Sequence, residues 1–138
     1  MAEERVQRRL AAILVADIAG YSALIGVDEA GTVRVFKGHM TALEPIIGLN
    51  GGRIVKSTGD GFLAEFSSVV DAVSCAAAMQ RQMAKRNQDQ PKNRQLVFRM
   101  GVHVGDIIVD GDDILGDGVN IAARLEGVAV PGGVLTGA

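Results

Sequence analysis

Leu10 to Ala16 is an unbroken apolar run that ends abruptly on Asp17. Arginines precede the run, as in a secretion signal, yet Glu3 and Glu4 precede it too and it is too short for that role. No apolar stretch in the chain reaches the length that a membrane-spanning helix needs, so no membrane span is expected. A short buried strand over residues 10–17 is the better reading. Asp17 then closes a buried strand immediately before a glycine-containing turn, where a carboxylate has no apolar role.

After the AGYS break, Val33, Phe36, Met40, Leu43 and Ile47 recur at spacings of three and four. That pattern predicts a helix from about Glu29 to Leu49, ended by Asn50-Gly51-Gly52. Two β-like segments follow, RIVKST and GFLAEF, joined through Gly59-Asp60. Glycine in the first central position suits a type II′ hairpin. Ser68, with Asp71 three residues on, predicts the start of a second helix running to about Arg86. NQDQPKNRQ is a loop, LVFRMGVHVGDIIV a strand or strand pair, and DGDD a turn. GDGVNIAARLEGVA reads as a third helix and PGGVLTG as the beginning of another strand. The order predicts an α+β fold with a ferredoxin-like βαββαβ core and additional elements, in a single domain over residues 1–138. The chain stops in what reads as a strand, so a C-terminal part of the fold is expected to be missing.

A chain of 138 residues can bury one real core. Its formal net charge of -2 offers no basic surface for nucleic acid or anionic lipid. The single cysteine, Cys75, excludes an internal disulfide and lies in a helical, apolar stretch. It reads as a buried, inert thiol and fits a reducing, cytoplasmic compartment. Eighteen glycines imply many turns or places of close backbone approach.

KSTGDG, residues 56–61, reads in two ways. Lys56 and Asp60 are either a neutralised charge pair on a hairpin or two groups with separate tasks. A βαββ arrangement brings Asp60 at the hairpin tip near Asp17, and two clustered carboxylates suit Mg²⁺. The alternative is a turn residue and a cap. Asn120 and Arg124 share a helix face, either to hold a ribose and a phosphate or as a solvated face. Asp113 has Asp106, Asp110 and Asp112 nearby, so it belongs either to a site or to an acidic loop. His103, on an apolar strand, is expected to pack. Backbone N–H groups near Tyr21 and Ser22 are candidates to cradle phosphate.

LVADIAGYS, KSTGDGFLAEF and DILGDGVNIAARLE, in that order and at these separations, resemble the class III adenylate/guanylate cyclase catalytic domain, with the wording of bacterial members. The match covers about residues 9–135. The resemblance implies the class III nucleotidyl cyclase fold and conversion of ATP to 3′,5′-cyclic AMP and pyrophosphate. It implies that Asp17 and Asp60, with the Ile18 carbonyl, hold two Mg²⁺ or Mn²⁺ ions. Ala19, Gly20, Tyr21 and Ser22 would wrap the triphosphate. Lys56 and Asp113 would select the base, Asn120 orient the ribose and Arg124 stabilise charge on the reacting phosphate. Adenine offers an acceptor at N1 and a donor at its amino group, which a lysine and an aspartate match. Guanine presents the reverse, so ATP is expected over GTP.

In this family the sites form between two catalytic domains, and both residue sets occur in this chain, which implies a homodimer with two shared sites. A fused or separate regulatory domain is a further implied partner. The alternatives are a guanylate or mixed-specificity cyclase and a catalytically silent, nucleotide-binding regulatory domain. Tyr21-Ser22 stands where many relatives carry Phe-Thr. A further phosphate-contacting lysine of the family would fall beyond residue 138.

Overall fold

The computed structural model describes residues 7–137. Glu3 and Glu4, and the outermost ends of the 1–138 domain reading, lie outside the described residues. In chain order the elements are β1 (Gln7–Ile18), α1 (Tyr21–Val27), α2 (Glu29–Leu49), β2 (Gly52–Ser57), β3 (Gly61–Phe66), α3 (Val69–Asn87), a single 3₁₀ turn (Lys92–Arg94), β4 (Phe98–Asp110), β5 (Asp113–Leu115), α4 (Asp117–Val128) and β6 (Val134–Thr136). The sheet runs β2-β3-β1-β4-β5, and β6 lies parallel to the first half of β4. The expected βαββαβ order is present, with α1, β5, α4 and β6 added to it.

β1 is the central strand, and its two faces serve two cores. Ala12, Leu14, Ala16 and Ile18 join Phe62, Phe66, Phe98 and Met100 beneath α2 and α3. Ala11 and Ile13 join Leu63, Ile107 and Ile114 beneath Ala122 of α4. Burial on both faces explains why the run is apolar without alternation. The sheet twists enough that β2 and β5, at opposite ends of the strand order, touch.

The helices begin where capping chemistry is available. Asp28 accepts from the Gly31 N–H at 3.0 Å to start α2, and the Ser68 hydroxyl accepts from the Val70 and Asp71 N–H groups to start α3. Gly51 takes φ 72 just past the end of α2, as the Asn-Gly-Gly stop requires. Cys75 is fully buried, and burial pushes its thiol up to about 11. No described helix is long and apolar enough to cross a membrane.

The structure departs from the sequence reading at α1, at β5 and at the β2–β3 turn. The segment after the AGYS break forms a short helix, α1, rather than a plain connection. Of the strand or strand pair expected over LVFRMGVHVGDIIV the single strand forms, as β4, but the DGDD turn leads into an unexpected strand: Asp113 begins β5, which pairs back onto β4. Gly59 is not among the glycines of positive φ, so the β2–β3 connection is not the type II′ turn. His103, expected to pack, is half-buried with Gly105 and Gly137 against its ring.

α4 lies close upon β4 because β4 carries glycine where the helix crosses it. A Cβ on Gly101 would meet the Glu126 backbone nitrogen and the Ala122 carbonyl. Gly101→Ala is therefore expected to cost about 1–3 kcal/mol, read as a lower urea midpoint at unchanged slope. Gly26→Ala, in open space within α1, is the control and should not lower the midpoint.

A second measurable consequence concerns His39 of α2, which is buried and accepts at Nδ1 from Arg86 Nε at 2.8 Å. Burial and then the Arg86 charge hold its pKa below the ordinary 6.5. The native state thus favours the neutral ring. Its contribution is complete above about pH 6.5 and is lost as the pH falls through the lower native value. Thermal denaturation between pH 7 and 5 should show a steeper loss of Tm in the native chain than in His39→Gln.

Candidate active site

The β1–β3 ladder sets Asp17 opposite Gly61, and the Ile18 N–H donates to the Asp60 carbonyl at 2.9 Å. Asp17, Ile18 and Asp60 therefore meet at one end of the sheet. This approach demands glycine at 61, because a Cβ there would strike the Ala16 carbonyl. The Asp60 carboxylate accepts from the Thr58 hydroxyl at 3.1 Å.

The following turn is anchored beside them. The Ala19 N–H donates to the Val97 carbonyl at 2.8 Å, and Gly20 takes φ 67 to swing the chain into α1. Tyr21 packs edge-on to Phe36 at 6.0 Å, while Ser22 is exposed. Burial, and then the negative charges of Asp60 and Glu29, raise the Tyr21 pKa. Ala19 to Ser22 thus lie against the carboxylate pair.

Two residues that the sequence reading passed over complete this end. Arg99 faces Asp17 across the β1–β4 ladder, with Nε 3.6 Å from Asp17 Oδ1. Both atoms are buried and lack a hydrogen-bond partner. Glu126 of α4 is 5% exposed, and its carboxyl is pushed up to about 8. Burial is the main cause, followed by the neighbouring Asp17 carboxylate, and Arg99 opposes the shift. One signal for Glu126 was available: Gly118 and Ala122 mark the buried face of α4, and Glu126 continues it at the same spacing. Arg99 carried no such signal, because it depends on β1–β4 register.

Lys56 does not pair with Asp60. Its ammonium lies 3.2 Å from Asp113, both side chains being half-exposed. A bulge between Ile54 and Lys56 places Lys56 opposite Leu63, whose side chain belongs to the core beneath α4. Without the bulge, Lys56 would share the opposite face with Ile54. Asp113 arrives on β5 and accepts the Ile114 N–H at 2.8 Å. That hydrogen bond, and then Lys56, hold its carboxyl below the usual range.

Asn120 and Arg124 sit on the exposed side of α4, opposite Gly118, Ala122 and Glu126. Neither side chain makes a hydrogen bond or ion pair with the described residues. Within one chain, then, Asp17, Ile18, Asp60 and the Ala19–Ser22 turn gather, Lys56 joins Asp113, and Asn120 with Arg124 face away.

The donor set suits a hard divalent cation. Asp17 presents a buried oxygen with no hydrogen-bond donor, and Asp60 stands beside it. Among the described residues no group of three or more His, Cys, Asp or Glu forms a closed cage. One or two carboxylates, with water and substrate phosphate completing the shell, is the arrangement that Mg²⁺ prefers.

Comparison with known proteins places the chain in a family. Residues 4–137 match the family described as Adenylate and Guanylate cyclase catalytic domain. The putative adenylate cyclase 3 of Rhizobium meliloti is 53% identical over 135 residues, 97% of this chain and 23% of that protein. The chain thus spans about a quarter of that relative's length. A solved structure from Silicibacter pomeroyi, titled as an adenylate/guanylate cyclase/hydrolase, superposes with a TM-score of 0.88 at 42% identity, over 96% of this chain and 77% of that one. The guanylyl cyclase Cya2 superposes with a TM-score of 0.84 over 96% of this chain and 77% of its own; at 22% identity it speaks for the fold alone. The chain belongs to the adenylate and guanylate cyclase catalytic domain family and has the class III cyclase fold.

Proposed function

We propose that the chain is an adenylate cyclase, converting ATP to 3′,5′-cyclic AMP and pyrophosphate at two sites shared between identical protomers. The observation that carries this reading is the division of labour on α4. Glu126 points inward to Asp17, whereas Asn120 and Arg124 point outward with no partner among the described residues. A nucleotide held at Asp17 and Asp60 would then meet Asn120 and Arg124 only from a second copy. The 53% identical relative named as a putative adenylate cyclase supports the substrate assignment.

In this reading Asp17, Asp60 and the Ile18 carbonyl hold two Mg²⁺ or Mn²⁺ ions. Bound there, such ions supply positive charge to the triphosphate and acidify the attacking hydroxyl. The Ala19–Ser22 turn wraps the phosphates. Lys56 donates to adenine N1 and Asp113 accepts from its amino group. Asn120 fixes the ribose so that its 3′-oxygen lies in line with the α-phosphorus, and alignment alone supplies much of the rate. The new bond joins that oxygen to the α-phosphorus, the bond to pyrophosphate breaks, and the hydroxyl proton passes to solvent. Arg124 offers a fixed fork of donors to the charge that develops. A regulatory domain, fused or separate, is the proposed source of control in a cytoplasmic signalling role.

Two measurements test this reading. Asp17→Ala and Arg124→Ala chains, each inactive alone, should regain up to about half of the native activity per mixed dimer when combined, because one of its two sites is then intact. A mixture as dead as either parent rejects the shared site. Separately, ATP should be turned over in preference to GTP with Mn²⁺, and Lys56→Glu should lower the ATP:GTP ratio of kcat/KM by about 10- to 100-fold. A native ratio that favours GTP would make the chain a guanylate cyclase.

A further inference from the structure

Glu65 is a charge in an unexpected place. It lies on β3, only 6% exposed, on the side of the sheet that Leu63 shares. Two arginines reach it from the strands on either side. Arg9 of β1 contacts both carboxylate oxygens at 2.8 and 2.9 Å, and Arg53 of β2 contacts one at 2.6 Å. A buried carboxylate so paired is held in place, whereas one left alone would be strongly destabilising.

Arg53 has a second contact. Its Nη1 donates to the Asp112 carbonyl at 3.2 Å, across the gap between the two ends of the sheet. Asp112 directly precedes Asp113, which meets Lys56. Two cross-links therefore bridge β2 to the β4–β5 turn, Arg53 to Asp112 and Lys56 to Asp113. The second is half-exposed and must be free to engage a base. The first runs back through Arg53 to a buried anchor.

We propose that Arg53, fixed by Glu65 and Arg9, is a positioning residue for base selection: it holds the β4–β5 turn so that Asp113 stands at the correct distance from Lys56. The inference rests on the proposed base-reading roles of Lys56 and Asp113. The guanidinium fork is what the task requires, since one planar group must satisfy a buried carboxylate and a distant carbonyl together. Arg53 touches no substrate in this scheme and acts through Asp113.

The test is kcat/KM for ATP and for GTP in the full chain with Mn²⁺. Arg53→Ala should lower the ATP:GTP ratio about 5- to 10-fold, chiefly through a higher KM for ATP, with Glu65 still paired to Arg9. Arg53→Lys keeps a charge beside Glu65 but has no fork to reach Asp112. It should recover the native Tm and not the ratio, which separates positioning from simple charge balance. In an Asp113→Ala background, Arg53→Ala should change the ratio no further. The proposal is overturned if Lys56→Glu shifts the ratio and Arg53→Ala and Arg53→Lys do not, or if the Arg53 and Asp113 effects add. If Lys56→Glu and Asp113→Ala also leave the ratio unchanged, the base-reading pair itself is wrong and the proposal falls with it. Should Arg53→Ala fail to fold, Arg53→Lys carries the comparison.

Discussion

Everything in this molecule is hung on β1, which is hydrogen-bonded along both edges and buried on both faces. Such a strand cannot slip, because a shift of one residue would exchange the side chains of its two cores. The β3 and β4 partners are therefore fixed against it, and with them the positions of Gly61, Asp60 and Arg99. The C-terminal end of the strand is where this rigid frame opens beside the β2–β3 connection. Asp17 stands there, so its carboxylate is held by the most over-determined element in the fold. A site that has to place charged oxygens accurately benefits from such a support.

The second constraint is the curl of the sheet. It brings β2 to β5, and the bridge is polar: Lys56 to Asp113 and Arg53 to Asp112, with Glu65 beneath. The half-exposed pair contributes at most about 1 kcal/mol, and a buried arginine–carboxylate cluster is often no more stabilising than apolar residues of the same size. Stability is carried instead by Phe62, Phe98, Leu14, Ile13 and their neighbours, at about 1.5–3 kcal/mol for each large side chain. The charged bridge thus adds geometry rather than free energy. It sets how far apart the two ends of the sheet stand, which is the distance that a base would have to span.

Elements with strong local signals were legible in the sequence. The unbroken run gave β1, the three-four spacing gave α2 to within a residue, and Ser68 marked the start of α3. α1 was not legible, because a seven-residue helix with a glycine in it and no side-chain cap is too short to show a period. β5 is three residues long inside an acidic stretch and exists only because β4 is beside it. The choice between Lys56–Asp60 and separate tasks could not be made locally either. It turns on a bulge, a property of the pairing between strands rather than of either strand, and on a partner 57 residues away. The roles of the candidate residues came from resemblance. Their spatial grouping is a separate observation, to which Arg99 and Glu126 have been added.

α4 joins these threads. Its inner face must be small to lie on the glycines of β4, and Gly118 and Ala122 meet that need. Glu126 then enters the same packed surface as a carboxyl, beside Asp17. The helix cannot rotate to bury Asn120 and Arg124 without driving larger side chains into the Gly101 backbone contact. Its outward face is consequently fixed by its inward one. In a symmetric pair of chains the same rigid helix would brace the carboxylates of one site and present Asn120 and Arg124 to the other. A change in how the protomers meet would then alter both sites together, through displacement of α4 as a body rather than through any rearrangement within a chain.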